Sequence, residues 1–453
     1  MELHFEHPLN AHIKQLMNFF TAVEDKDAYI SPVLFKRCGV LIRFHIEDVS
    51  DRGDLSIANI SKYWEAYCQN HGRKMRLSTI TDKKNGLVLP DEESMQGLIE
   101  YSKDWVFPLQ EITPLYKDRC TFSFQRRPII SYVLSTVLKQ GARYGHHLKS
   151  EKAPTLCLDQ SPSSHYTLDD GTEQLAHYRL RQLRGITRRL MAYSTWRLVD
   201  PDQQSDDTLR VIVETQRCPT QPTDHVCLVC GPVLEPVDKA ATKMDRDSYV
   251  ALRSKDMILM AMHRNGVRLG SSRGDFDSLI QRLGAAAVLV DLFEVRHASA
   301  ATVVRNGSGS SKGASYILYN SARLETLLRT FNTQVEAGIY QPLPPLADID
   351  LSLLEDDQLD WKLIYGHLLP FPEVVESTMN LLHQGQCDVH LLVRYINSLA
   401  VLFSRYYRQK RILVQMRDHL MPVLYARVYL VMAVRQVLNV ALSLLGIEPV
   451  SYI

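Results

Sequence analysis

The chain has 453 residues, a length that allows about three domains with hydrophobic cores of their own. Hydrophobic residues make up 45% and charged residues 23%, with 21 glycines and 20 prolines, which excludes a wholly disordered chain, a fibrous one and a small disulfide-stapled scaffold. Lysine plus arginine number 52 against 51 aspartate plus glutamate, so overall charge points to no polyanionic partner, and affinity for nucleic acid would have to come from local segregation of charge.

The first third mixes short apolar runs with turn signals. CGVLIRFHI (38–46) and TFSF (121–124) alternate like strands, and Pro128 is followed by Ile129, Tyr132, Val133 and Val137 at helical spacing, with proline in the first turn. This predicts an α+β N-terminal domain over residues 1–150. The segment between Gly145 and Gln174 is rich in Ser, Pro and Asp and reads as a loop with one short strand at TLCL (155–158); His146 and His147 beside it read as exposed. A helical stretch follows, in which Arg179, Arg181, Arg184, Arg188, Arg189 and Arg197 face the single acid Glu173, the first charge segregation in the chain.

The middle third, 151–340, has a strand candidate at HVCLVCGPV (225–233), a helix from Asp277 through Phe293, a loop at NGSGSSKG (306–313) and a helix over SYILYNSARLETLLRTF. YQPLPPLADID (340–350), with three prolines, reads as a linker, and 341–453 as an all-helical domain. Tyr429–Ile447 is long and apolar enough to span a membrane. It carries Arg435, Gln436 and Asn439 near its centre, and a central arginine costs about 2.5–3.5 kcal/mol in a bilayer, so a core helix is expected.

Several motifs fall short of a site. The eight cysteines (Cys38, Cys68, Cys120, Cys157, Cys218, Cys227, Cys230, Cys387) are scattered, and MELHFEHPLN has neither a basic nor a long apolar leader region, so a reducing, cytoplasmic location is expected. Cys227-Leu228-Val229-Cys230 lacks a second ligand pair for structural zinc and reads as buried strand cysteines. GSGSSKG places Lys312 before Gly313, the reverse of a phosphate-binding loop, and no glycine-rich turn of the kind that holds S-adenosylmethionine follows a strand. No catalytic residue, metal or cofactor is therefore assigned.

The C-terminal helices carry the clearest signal. On a 100° wheel Tyr395, Ile396, Leu399, Phe403, Tyr406 and Tyr407 fall within about 60° of Leu392, and Arg394, Arg405 and Arg408 fall together opposite them. From Arg394 to Arg435 there are eight Lys or Arg and one acid, Asp418. Such a patch, with Tyr407 and Tyr425 nearby, suits phosphate neutralisation and base stacking. In the last helix Arg427 shares a face with Leu430, Val434 and Val437, so a structural role with a paired guanidinium is expected.

The run Tyr395, Leu399, Phe403, Tyr406, Tyr407, then Ala426-Arg427-Val428-Tyr429-Leu430 and Leu442-Ser443-Leu444-Leu445-Gly446-Ile447, resembles the DALR anticodon-binding domain that closes arginyl-tRNA synthetases. Gly313, Tyr316, Tyr319, Ala322, Arg323 and Leu324 are similar to the segment leading from the catalytic domain of those enzymes into the bundle, and residues 122–145 to the end of their additional N-terminal domain. The resemblance implies a degenerate class I synthetase-like α/β fold for the middle region, between the α+β domain and an all-α DALR bundle. Its catalytic signatures are altered. Ser161-Pro162 stands where the family has Ser-Pro before HIGH, but Arg179-Leu180-Arg181-Gln182 fall in the place of the two histidines, and Gly270-Ser271-Ser272-Arg273-Gly274-Asp275 in that of KMSKS without its lysine.

What the resemblance implies is a pseudoenzyme: a non-catalytic tRNA-binding adaptor that presents arginine tRNAs to a partner tRNA N3-methylcytidine methyltransferase of the methyltransferase-like family, with no membrane partner. The residues expected to touch tRNA are Arg394, Arg405, Arg408, Lys410, Arg411 and Arg435, with Tyr407 and Tyr425 stacking, and Arg179, Arg181, Arg184, Arg188 and Arg189 on the backbone. The alternatives are a divergent arginyl-tRNA synthetase and an interaction scaffold that binds no RNA.

Overall fold

A computed structural model of the protein describes residues 8–23, 41–70, 72–75, 80–82, 87–89, 92–116, 119–147, 153–159, 172–203, 205, 207–215, 225–265, 273–304 and 311–449. The chain divides into two compact units, one of residues 3–135 with 350–369, the other of residues 136–349 with 370–453.

In the first unit, Ile42–Phe44, Leu55–Ala58, Arg119–Phe124 and Leu109–Tyr116 lie side by side in that order as an antiparallel sheet. Alternation sends Ile42, Leu55, Ile57, Phe122 and Phe124 into the core, where Leu16 and Met17 of the Pro8–Phe20 helix are also buried. The Arg126–Gln140 helix gives its first turns to this unit. It starts two residues before the proline, and Ile129, Ile130, Val133, Leu134 and Val137 are all fully buried. Gly53, at φ +64°, lets the chain pass so close to the neighbouring strand that a Cβ would sit 2.6 Å from the Phe122 carbonyl oxygen.

That close pass seats Asp54, which is buried. Its Oδ2 accepts from the Phe124 amide at 2.8 Å and its Oδ1 from the Trp361 indole at 2.7 Å, while Tyr365 donates to its carbonyl at 2.8 Å. Trp361 and Tyr365 stack with centroids 4.9 Å apart, and the Arg126 guanidinium lies 5.0 Å from the Trp361 ring. Residues 350–369 are thus part of this unit through specific polar contacts.

The second unit contains a parallel sheet in the order Arg197–Leu198, Thr155–Asp159, Leu209–Glu214, His225–Val229. The Leu175–Tyr193 helix makes the first crossover. The order reverses at Thr155–Asp159, because the next strand is added on one side of it and the following two on the other. The strand expected at 225–233 is split by Cys230–Pro232, and Val233–Leu234 pairs instead with Ala301–Thr302. Gly231 permits this turn, since a Cβ there would lie 2.5 Å from the Ser299 carbonyl oxygen.

Helices Arg246–Asn265 and Arg273–Phe293 pack together, with Ser254 against Gly284. Beyond them Ser311–Glu336, Phe371–Met379, Val389–Gln409 and Met421–Leu445 are the helices of the bundle. Residues 311–313, expected in a loop, are helical; residues 305–310 before them lie outside the described residues. The apolar helix ending at Leu445 is long enough to cross a membrane, but it is the core of the bundle, with Leu430, Val434, Val437 and Leu438 at most 1% exposed.

Candidate nucleic-acid interface

Helix Val389–Gln409 buries Leu392, Tyr395, Ile396, Leu399, Phe403 and Tyr406 and turns Arg394, Arg405 and Arg408 to solvent, as its periodicity requires. A segment without regular structure follows, in which Arg411 and Arg417 are exposed and Lys410 is half-buried. These cations line one helix face and its continuation, with the exposed acid Asp418 at the far end.

Tyr407 is 39% exposed and keeps part of its ring in solvent. The Arg323 guanidinium, from the Ser311–Glu336 helix, lies 4.3 Å from the Tyr407 ring centroid and 4.4 Å from that of Tyr319, and donates to the Tyr319 hydroxyl at 2.5 Å. Tyr319 and Arg323 are four residues apart and so meet on one helix face. Their convergence on Tyr407 comes from the packing of two helices. A planar cation against aromatic rings, at the edge of an arginine stripe, is the chemistry that stacks on unpaired bases. Arg323 and Tyr319 were not among the residues expected to touch RNA; only their i, i+4 spacing hinted at the contact.

Other expected contacts have different partners. Tyr425 is 8% exposed, and burial raises its hydroxyl pKa, so its ring belongs to the core and offers no stacking face. Arg435 is half-buried and paired with Glu325 at 3.0 Å. Arg427 is half-buried and donates to the Arg411 carbonyl at 3.0 Å, the structural role expected for it.

The arginines of the Leu175–Tyr193 helix separate by face. Arg188 is exposed; Arg181 is exposed and holds Glu173 through two hydrogen bonds of 2.8 and 2.7 Å. Arg184 is half-buried and donates to the Leu158 carbonyl, and Arg189 donates to the Leu444 carbonyl at 2.9 Å, at the end of the last bundle helix.

Arg179 corrects the expectation outright, being fully buried. It lies four residues before Leu183 and seven before Ile186, on the apolar face. Its Nε donates to the Leu292 carbonyl, its Nη1 to those of Gly231 and Ser299 at 2.8 Å each, and its Nη2 to that of Arg296. The guanidinium is thus spent on backbone carbonyls beside the turn after His225–Val229.

The remaining candidates are structural. Cys230 is buried and burial pushes its thiol up to about 11; Cys227 is half-buried. Among the described residues no group of three or more His, Cys, Asp or Glu is placed to hold a metal. His146 lies against Tyr193 with centroids 3.7 Å apart, and His147 stands 3.9 Å from Glu376. The positions matched to the Ser-Pro before HIGH, and residues 270–272 of those matched to KMSKS, lie outside the described residues; residues 273–275 open the Arg273–Phe293 helix.

The helices that build this patch match a known family model, the DALR anticodon binding domain, over residues 317–453. The C-terminal bundle is a DALR domain. Over 234 residues the chain is 29% identical to the "DALR anticodon-binding domain-containing protein 3" of Danio rerio, covering 49% of this chain and 41% of that protein. The protein of the same name from Mus musculus is 28% identical over 234 residues, 50% of this chain and 43% of that one. The match thus spans about two-fifths of these relatives' length. The arginine–tRNA ligase of Syntrophotalea carbinolica is 36% identical over 133 residues, 29% of this chain and 21% of that enzyme. In fold, the chain is similar to the Thermus thermophilus arginyl-tRNA synthetase, with a TM-score of 0.55 at 11% identity, over 91% of this chain and 96% of that one. The Plasmodium falciparum arginyl-tRNA synthetase gives 0.54 at 10% identity. The architecture is thus that of an arginyl-tRNA synthetase, with the DALR domain at its C-terminal end.

Proposed function

We propose that the chain is a non-catalytic tRNA-binding adaptor whose DALR domain holds the anticodon arm of arginine tRNAs and presents it to a partner methyltransferase that forms N3-methylcytidine in the anticodon loop. The observation that carries the RNA part is the exposed stripe Arg394, Arg405, Arg408 and Arg411, flanked by Arg323 and the accessible Tyr407. Arginines spaced along one face neutralise successive phosphates, and a tyrosine among them offers a stacking surface to an unpaired base. Arg188, exposed on the Leu175–Tyr193 helix, is available to the backbone elsewhere on the tRNA. The names of the similar proteins support an anticodon arm as the ligand. The methyltransferase and its product rest on the likeness of the sequence to non-catalytic relatives of the synthetases, and a cytoplasmic setting on the scattered cysteines.

A ligase activity is the second reading, since the fold is a synthetase's. Arg179 weighs against it: a buried guanidinium that donates to five backbone carbonyls stands where the family's HIGH histidines would face ATP phosphates, and those donors are committed to the fold and not to a transition state. Two measurements separate the readings. Electrophoretic binding of arginine-acceptor and other tRNAs over a salt series should show selective binding with a slope of about −0.7 to −0.9 per neutralised phosphate. Equal affinity for all tRNAs, or no slope, would refute selective reading, and ATP-dependent charging with arginine would establish the ligase. Co-purification from cells, with the bound RNA sequenced, should return arginine tRNAs together with a methyltransferase.

A further inference from the structure

The segment Lys410–Arg417 carries three of the bundle's cations yet belongs to no helix or strand. It is nevertheless fixed at three points. Arg427 donates to the Arg411 carbonyl at 3.0 Å, the side chain of Ile412 is buried, and the Tyr340 hydroxyl donates to the Val414 carbonyl at 2.5 Å. Tyr340 is itself buried and stacks on Phe331, at the end of the Ser311–Glu336 helix, with centroids 5.7 Å apart.

The stretch that brings Tyr340 into place is the proline-rich one that reads as a linker. Residues 340–349 lie in the same unit as the bundle, and the Tyr429 hydroxyl, from the core helix, donates to the Pro344 carbonyl at 2.5 Å. The linker is therefore a strap: the core helix holds it, and it holds the basic segment. Burial raises the Tyr340 pKa, and the positive charge of Arg411 opposes that rise.

The pinning has a purpose that packing alone does not supply. Ile412 would anchor the segment to the core by itself, whereas hydrogen bonds to the carbonyls of Arg411 and Val414 set the direction in which the intervening backbone presents its side chains. Freezing the loop before RNA arrives removes part of the ordering cost of binding. We propose that Tyr340 and Arg427 are positioning residues for RNA recognition: neither need touch RNA, and together they fix the backbone of residues 411–414 so that Arg411 and Arg417 continue the arginine stripe of the Val389–Gln409 helix. This rests on the reading of the patch as an RNA surface.

The test is a double-mutant cycle on the full chain, with an arginine-acceptor tRNA as probe. Tyr340→Phe keeps the ring stack and deletes only the hydroxyl. It should leave the melting temperature within about 2 °C of the parent, weaken tRNA binding by up to about tenfold, and lower the slope of log affinity against log salt by about one. The loss should be strongly coupled to Arg411→Gln and additive with Arg394→Gln, because Arg394 sits on a helix the strap does not hold. Arg427→Lys, which keeps the charge but shortens the reach to the Arg411 carbonyl, should give the same pattern. An unchanged affinity and slope in Tyr340→Phe, or a loss equally additive with both arginine variants, overturns the inference while leaving the RNA surface intact. Failure of the parent chain and of Arg405→Glu/Arg408→Glu to differ in tRNA binding would instead remove the surface, and this role with it.

Discussion

Arg179 shows how one residue type serves opposite ends depending on the helix face it occupies. Counted by charge along the chain it belongs with Arg181 and Arg188; placed on the helix it belongs with Leu183 and Leu190. Removing its guanidinium would take a donor away from the carbonyls of Gly231, Leu292, Arg296 and Ser299. Arg179→Met, of similar length and apolar, should therefore destabilise the fold by about 3–5 kcal/mol in urea denaturation, and Arg188→Met by about 0.5 kcal/mol or less. Similar losses in the two variants would mean that the buried network carries little. His12 offers a second test at this scale. It sits edge-on to Trp105 and Phe124, with centroids 4.6 and 4.7 Å away, and burial lowers its pKa to about 3. The unfolded chain binds a proton below pH 6.5 that the folded one refuses, so folding is penalised by about 2 kcal/mol by pH 5. His12→Leu should abolish that part of the acid sensitivity, read as a flatter profile of stability against pH between 6.5 and 5.

At the scale of elements, the end of the core helix is set by two residues from distant parts of the chain. Gly446 takes φ +79°, and a Cβ there would lie 2.5 Å from Nη2 of Arg189, whose Nε holds the Leu444 carbonyl. Gly446→Ala should cost about 1–2 kcal/mol of stability, from the left-handed backbone and from displacement of the guanidinium. An alanine variant as stable as the parent would show that Arg189 has room to move. Gly446 is legible in the sequence as a helix stop; Arg189 as its partner is not, because local patterning says nothing about which helix end a side chain 255 residues away will reach. The same division holds elsewhere. The outward face of the Val389–Gln409 helix follows from period alone, as do the buried residues of Arg126–Gln140, and the family likeness supplied the synthetase-like architecture. The Arg246–Asn265 helix is not among the elements expected from the sequence. Its Arg253 is fully buried against Asp291 at 2.8 Å, a cation on the apolar side that breaks the pattern a reader looks for. The strap was hidden for a related reason: prolines mark where a helix stops, not what the extended chain then lies on.

At the scale of the whole molecule, each compact unit holds buried titratable groups of its own that tie its stability to pH. The unit of residues 3–135 with 350–369 holds His12 and the half-buried His45, lowered to about 4 by burial and by Arg119, Arg52 and Arg43. Depressed histidines cost stability as pH falls below 6.5. Asp54 in the same unit is raised to about 6, chiefly by burial, so its own penalty, complete above pH 6, fades as the pH falls toward 4 and offsets only part of the histidine loss. The other unit carries Glu373, which burial, with Glu376 nearby, pushes up to about 8. A raised carboxyl binds its proton more tightly in the folded state, so its cost is absent below about pH 4.5, grows through the interval and is complete above about pH 8. Acid therefore weakens the first unit while relieving the second at this carboxyl. Glu373→Gln should stabilise the second unit by about 1–3 kcal/mol at pH 8 and by little at pH 5. Calorimetry on the full chain is the measurement that resolves this, because units with separate cores need not melt as one. The transition of the unit that holds the DALR domain should move up in Glu373→Gln at pH 8 and stay in place at pH 5, and the transition of the unit that holds His12 should drop between those pH values in both proteins. An equal shift at both pH values would show that folding leaves the proton affinity of Glu373 unchanged, and the pH dependence of this unit would then have to come from other groups.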